Sequence, residues 1–202
     1  MSGVTDAIKD GLDADALMGI IGERFSVKRD ELNKWGLTVI TSPDDLRDLI
    51  AMLRDDSRLR FDCLIDITAV DYLSYPGWRD ERYGLVYILK SFSFRHRITV
   101  KVMIDEYEAE IASIHDFYRN ADWLERETWD QYGITFLEHP NLKRLLNHHE
   151  FIGHPLRKDY PVQKRQHLTV NDPMIDELVQ RLEARGLRVI DESAPAPTGG
   201  EA

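Results

Sequence analysis

The apolar positions of the chain fall into runs whose spacing changes several times. Over residues 13–25, Leu17, Ile20, Ile21 and Phe25 recur near helical spacing behind the acidic Asp13 and Asp15, which predicts a first helix. Residues 36–40 form a short β-rich run. Thr41-Ser42-Pro43-Asp44-Asp45 supplies a Ser cap, a Pro suited to a first helical position and two acids, and it opens a helix striped by Leu46, Leu49, Ile50 and Leu53. Phe61, Leu64, Ile65, Ile67 and Val70 predict a strand. In 83–89, Tyr83, Leu85, Tyr87 and Leu89 alternate with Val86 and Ile88, so both faces are apolar and the strand is expected to be central and covered. In 96–104, Ile98, Val100, Val102 and Ile104 alternate with Arg97, Thr99, Lys101 and Met103, the pattern of a half-buried strand. The short link 91–95 predicts that these two strands form an antiparallel hairpin.

Helices are predicted over 113–119 and 121–132, the second closed by Gly133. The order α-β-α-β-β-β-α-α has few βαβ alternations. It predicts the α+β class: a two-layer domain whose mostly antiparallel or mixed sheet packs with helices, plus an extended C-terminal segment. Clean periodicity ends at Phe136. The chain thus divides into an α+β domain (1–136), an extended basic segment (137–167), a C-terminal helix and short strand (168–190), and a disordered tail (191–202). The C-terminal helix is expected over 173–185, capped by Asn171 or Asp172, opened by Pro173, striped by Ile175, Leu178, Val179 and Leu182, and ended by Gly186.

Charge and cysteine usage narrow the function classes. The 202 residues hold 26 Lys plus Arg against 36 Asp plus Glu, a net charge of −10, which argues against a general nucleic-acid binder. The single cysteine, Cys63, excludes an internal disulfide framework. It also excludes an iron–sulfur or zinc site held by cysteines of this chain alone, and it fits a reducing compartment. No apolar run approaches the ~20 residues of a membrane-spanning helix, so no direct membrane insertion is expected. Met1 to Asp10 lacks the basic-then-apolar layout of a secretory signal. Against this acidic background, residues 139–167 carry Lys143, Arg144, Arg157, Lys158, Lys164 and Arg165 with only Glu150 and Asp159, a local charge of +4. The same stretch holds His139, His148, His149, His154 and His167, with Pro140, Pro155 and Pro161.

Candidate chemistry is sparse. His148 and His149 are adjacent and point apart on a regular element, while His139 and His154 each precede proline. Without a His-x-x-x-His pair or a second Cys, turn or interface roles are expected rather than zinc ligation. Glu125, Glu127 and Asp130 surround Arg126; Glu127 and Asp130 share a helical face, and Arg126 stands four residues from Asp130. That spacing predicts an ion-pair network rather than a catalytic carboxylate pair. Cys63, inside an apolar run, reads as a buried small hydrophobe. No Gly-x-Ser-x-Gly, Gly-x-Gly-x-x-Gly or Walker loop is present. No catalytic, cofactor-binding or metal residue is therefore expected in this chain. The strip Gly153-His154-Pro155-Leu156-Arg157-Lys158-Asp159-Tyr160-Pro161 has prolines that fix an extended path, an Arg suited to bidentate contacts and a rigid Tyr anchor. It reads as an interface, with a solvated basic loop as the alternative. The segment 137–167 is expected to be ordered by a partner rather than by the domain's own core, and Arg157 to act in that interface.

Three runs carry a resemblance. They are residues 123–136 (Trp-Leu-Glu-Arg-Glu-Thr-Trp-Asp-Gln-Tyr-Gly-Ile-Thr-Phe), His139-Pro140-Asn141-Leu142-Lys143-Arg144-Leu145-Leu146, and the strip 153–161. Together they resemble the signature of the C-type subunits of the NADH-quinone oxidoreductases, the bacterial counterparts of the mitochondrial complex I 30-kDa subunit. The matching positions include Glu125, Arg126, Glu127, Asp130, Tyr132, Gly133, His139, Pro140, Arg144, Gly153, His154, Pro155, Arg157, Lys158, Asp159, Tyr160 and Pro161. The chain departs from the family at Glu138, where Gly is usual, at Lys143, where Arg is usual, and at Gln131, where an apolar residue is usual. The resemblance implies a cofactor-free scaffold in the peripheral arm of a proton-pumping respiratory complex I, on the cytoplasmic face of the bacterial inner membrane. It implies a hetero-oligomer whose subunits B, D and I are this chain's neighbours: it packs against D, which holds the quinone site, and lies near the other two. FMN and iron–sulfur clusters in partner subunits would carry electrons from NADH to quinone. The equivalent subunit of a membrane-bound hydrogenase or formate hydrogenlyase-type complex has a similar motif and is the alternative; a stand-alone hydrolase comes third.

Overall fold

A computed structural model describes residues 11–31, 33, 36–76, 81–107, 109–163, 166 and 173–187, the side chains of 173–176 excepted. The chain divides into two units, Met1–Lys164 and Arg165–Ala202. Element order is α1 (Ala14–Gly22), β1 (Lys28–Arg29), β2 (Leu37–Thr41), α2 (Leu46–Asp55), β3 (Cys63–Asp71), β4 (Tyr83–Lys90), β5 (Arg97–Ile104), β6 (Glu110–Ala112), α3 (Ala121–Tyr132), β7 (Thr135–Leu137) and α4 (Pro173–Ala184). The main sheet has the order β1-β2-β5-β4-β3, and β6 pairs with β7 in a second, two-stranded sheet. β2 runs parallel to β5, while β1–β2, β3–β4 and β4–β5 are antiparallel. The architecture is the α+β arrangement with a mixed sheet that the sequence predicts, including the β4–β5 hairpin.

Register explains the core. Tyr87 stands between Ile67 and Val100, and Leu85 between Ala69 and Val102. Val39 extends the Val100 row onto β2. These residues are buried, and they join Leu17 and Ile21 of α1 with Leu46, Leu49, Ile50 and Leu53 of α2 in one apolar cluster. On the opposite face of β4, Val86 and Ile88 are only half-buried. The strand is central as predicted, but one of its faces is only partly covered.

Several local expectations are corrected. Residues 113–119 do not form a helix: the Ile114 carbonyl accepts from Phe117 N–H at 3.0 Å and Tyr118 N–H at 3.1 Å, and the turn goes no further. Ser42 caps a turn ahead of α2, its Oγ accepting from Asp45 N–H at 3.1 Å, and the helix begins only at Leu46. Cys63 is half-buried rather than enclosed. β1, β6 and β7 span two or three residues, too few to leave a periodic signal. In its own unit, α4 ends as predicted at Gly186, with Leu187 N–H on Leu182 O at 3.0 Å and Gly186 N–H on Glu183 O at 2.8 Å. The expected cap at Asn171 or Asp172, the short strand before 190 and the tail 191–202 lie outside the described residues.

α3 departs most from an amphipathic helix. Apart from Ala121, its buried residues are polar: Glu125, Arg126, Thr128, Asp130 and Gln131. Thr128 Oγ1 divides its one proton between Leu124 O of its own helix at 2.9 Å and Ile67 O at 3.3 Å, and Asn120 Nδ2, just ahead of the helix, donates to Leu64 O at 2.9 Å; Ile67 and Leu64 are the acceptors outside the helix. Both acceptors belong to β3, an edge strand, so these contacts occupy carbonyls that would otherwise template pairing with another chain.

Candidate functional site

The motif residues converge on α3. Asp130 is fully enclosed, and its Oδ2 accepts from the backbone N–H groups of Leu145, Leu146 and Asn147 at 3.0, 2.9 and 2.9 Å. Its Oδ1 accepts from Arg144 Nη1 at 2.6 Å and Asn147 Nδ2 at 3.0 Å. Burial pushes the carboxyl up, but the Asn147 N–H, Arg144 and the remaining donors outweigh it and hold the group down at about 2. Arg144 Nη2 reaches on to Gly153 O at 3.0 Å. His154 Nδ1 donates to the Asp130 carbonyl at 3.0 Å, and Leu156 N–H to Gln131 O at 3.1 Å. One carboxylate at the end of a helix thus organises an irregular segment that has no periodicity of its own.

Gly133 closes α3 in the left-handed region at φ 79°, as its position predicts. A Cβ there would lie 2.6 Å from both Arg157 Nη2 and His154 Cδ2, so the strip also needs the missing side chain. Arg157 Nε donates to Tyr132 O at 2.6 Å, and its guanidinium lies 5.6 Å from the Tyr83 ring centre. Tyr160 stacks on Phe151 at 5.9 Å, and a Cβ on Gly153 would meet the Tyr160 ring at 2.9 Å. At the far end, Arg82 joins three acids. It holds Asp71 through Nη2 at 2.8 Å and Asp159 at 2.7 Å, and it pairs with Glu106. Asp71 Oδ2 also accepts the Lys158 backbone N–H at 2.8 Å. Burial raises the Asp71 carboxyl, and Arg82, Lys158 N–H and Leu73 N–H together bring it below its usual range.

Two expectations are therefore corrected. Residues 137–163 are lashed to the domain by backbone and charged side-chain bonds, so residues of the domain itself supply contacts to this segment. Arg157 is half-buried, with the Tyr132 carbonyl and the Tyr83 ring of the domain as its partners. The predicted ion pairs on α3 are also replaced. Arg126 donates to the Lys143 and Arg144 carbonyls at 3.2 and 3.3 Å and lies over the Trp123 ring, while Arg144 takes Asp130. Glu127 is exposed and does not share Asp130's environment. Pro140, Lys158 and Pro161 are exposed, Pro155 half-buried.

Glu125 is enclosed elsewhere. Ser113 Oγ donates to its Oε2 at 2.5 Å and Ile114 N–H to its Oε1 at 2.8 Å. Burial pushes this carboxyl up to about 7, against the lowering effect of those two donors. His139, whose side chain is also enclosed, bonds through Nε2 to Asp122 O at 3.2 Å, and burial lowers its pKa.

Asp71, Arg82, Glu106, Ser113 and Asn147 escape a motif-based reading. A signal existed for the first pair. Asp71 falls in phase with the buried Ile67 and Ala69, and Arg82 adjoins the buried Tyr83, so each charge needed a partner.

A mixed α+β domain with this motif drawn across its last helix matches a class of respiratory-chain subunit. The family model described as "Respiratory-chain NADH dehydrogenase, 30 Kd subunit" matches residues 39–166, and the chain belongs to that family. A protein of Citrifermentans bemidjiense, named as the C-type subunit of an NADH-quinone oxidoreductase, is 43% identical over 127 residues, covering 63% of this chain and 75% of its own. A Methylobacterium protein of the same name is 41% identical over 161 residues, covering 80% of this chain and 69% of its own. Among solved structures, a trypsin-resistant fragment of Nqo5 aligns with a TM-score of 0.54 and 28% identity, covering 63% of this chain and 97% of the fragment. A chain from an archaeal membrane-bound sulfane sulfur reductase shares the fold, with a TM-score of 0.59 and 19% identity over 93% of this chain and 98% of its own.

Proposed function

We propose that this chain is a non-catalytic scaffold subunit in the peripheral arm of a proton-translocating NADH-quinone oxidoreductase, where it braces the quinone-reducing module. In this reading electrons pass from NADH through FMN and iron–sulfur clusters held by other subunits to quinone. The chain packs against the quinone-site subunit, near subunits B and I, at the cytoplasmic face of the membrane. The observation that carries the reading is the outward side of 137–163. Its backbone is fixed to α3, while Leu146, Ile152 and Val162 stand 64%, 71% and 100% exposed. Apolar side chains on a rigid frame suit a protein partner. The names of the relatives support the choice of complex over a hydrogenase. Among the described residues no helix is long and apolar enough to cross a membrane, which fits attachment through other subunits. A lone Cys63 could not ligate an iron–sulfur cluster by itself.

The test is affinity purification of the complex through a tag on this chain. Leu146→Asp, Ile152→Asp and Val162→Asp together should release the quinone-site subunit while the thermal midpoint of the isolated chain stays unchanged. Full retention of the quinone-site subunit would overturn the interface. Recovery of a nickel-bearing hydrogenase subunit in place of the NADH-binding one would transfer the chain to the alternative complex.

A further inference from the structure

Between β6 and α3 lies a line of three protic groups that runs from the interior outward. Glu125, with no exposed side-chain surface, places Oε2 at 2.5 Å from Ser113 Oγ. Ser113, itself buried, places the same oxygen at 3.0 Å from Nδ1 of His115. His115 is half-buried and opens the line toward solvent. Both separations are within the reach of hydrogen bonds. The surroundings hold the line in place: Ile114 N–H fixes Oε1, and Arg47 donates to the Ser113 carbonyl at 2.5 Å.

The geometry points to a proton-binding site in which a proton held on the buried Glu125 carboxyl exchanges with the His115 imidazole through the Ser113 hydroxyl. The ligand is the proton itself. In the outward step the Glu125 Oε2–H bond breaks as Ser113 Oγ takes that proton. The original Ser113 O–H bond breaks as His115 Nδ1 takes the other. The products are a carboxylate, an unchanged serine and an imidazolium, so one proton has moved without any group leaving the line. The return runs the same bonds backward. Serine suits the middle position because a hydroxyl donates and accepts at once.

The groups facing the site favour a retained proton. From α3, Asp122 repels a second negative charge; from the 113–119 turn, Asp116 does the same, although Arg47 pairs with it. From the segment after β7, His139 Nε2 stands 3.8 Å from Oε2, and burial, with His115 and Arg126, keeps that imidazole toward its neutral form against the pull of Asp122. From β4, the enclosed Tyr87 hydroxyl has no hydrogen-bond partner, and burial and Glu125 both oppose its ionisation. Burial of Glu125 then holds its carboxyl protonated up to about pH 7.

The experiment is side-chain NMR of the full chain, labelled at Glu and His carbons and titrated from acid to alkaline pH. Glu125 should titrate about two units or more above the exposed glutamates. Titration of Glu125 together with the exposed carboxyls would overturn the site. His115→Asn, a change at a half-buried position, should slow proton exchange at Glu125 about tenfold or more while leaving its midpoint within about one unit. Ser113→Ala, which removes the bridging hydroxyl, should slow the same exchange. Unchanged exchange in His115→Asn would overturn the relay, whether or not Ser113→Ala folds.

Discussion

Asp130 in the last turn of α3 and Arg144, fourteen residues later, meet at 2.6 Å between Oδ1 and Nη1, and this pair decides the path of the chain after β7. The carboxylate also collects three consecutive backbone N–H groups, as a helix N-terminus gives its donors to an anion. Removing it would leave those backbone donors unpaired and Arg144 without its countercharge. Asp130→Ala should cost about 3–5 kcal/mol, the range for a broken buried pair. Urea unfolding of the isolated chain measures it. Limited proteolysis should at the same time open a new site between residues 143 and 157.

Arg157→Ala separates a stabilising role inside the domain from a role in an interface. The side chain donates to the Tyr132 carbonyl at 2.6 Å and covers the buried Tyr83 ring, both inside the domain. A charge-assisted hydrogen bond contributes about 1.5–3 kcal/mol. The variant should lose that much in the denaturation of the isolated chain. A loss confined to co-purification, with unchanged stability, would return Arg157 to the interface.

Glu138 occupies the position where the resembling family usually has Gly, and its φ is +61°. A non-Gly residue in the left-handed region carries about 1–2 kcal/mol of strain. Glycine relieves it but adds about 0.5–1 kcal/mol of chain entropy in the unfolded state. Glu138→Gly should therefore stabilise the chain by about 0.5–1 kcal/mol. A raised thermal midpoint with an unaltered unfolding slope in urea is the expected result.

Stability should depend on pH in two windows of opposite sign. The Asp130 carboxyl titrates lower in the fold than in the unfolded chain, so its stabilisation is present above about pH 4 and is lost as pH falls through about 2. Glu125 is raised from 4.5 to about 7, so its contribution is complete below pH 4.5 and is lost as pH rises through 7. That shift corresponds to about 3 kcal/mol. His139 and His154, both lowered by burial, slope the other way below about pH 6.5. Glu125 is thus read as the difference between the native chain and Glu125→Gln. The native chain should lose stability relative to the variant between pH 4.5 and 7 and run parallel to it above about pH 8.

The regular part of the fold follows from local pattern alone. Period-two alternation in 83–89 and 96–104 is a local property of the chain; it marks both strands of the hairpin and the buried face of 96–104, while the two apolar faces of 83–89 are told apart only by packing. Proline, serine and glycine at 42–43, 133 and 186 fixed turns and helix ends for the same reason, since each acts through its own φ or its own side chain. The charged residues of the motif were visible as residue types, but not their partners. Arg126 and Asp130 stand one helical turn apart, yet Asp130 takes Arg144 and Arg126 takes carbonyls of the returning segment. An exposed i,i+4 pair contributes only a few tenths of a kcal/mol, about 0.2–0.5, whereas a buried carboxylate must satisfy every lone pair or raise its pKa. Burial therefore outweighed sequence proximity, and burial exists only once the chain has folded. The same holds for Arg82, whose acids are 11, 24 and 77 residues away. The line from Glu125 to His115 likewise appears only when the turn after β6 bonds to α3.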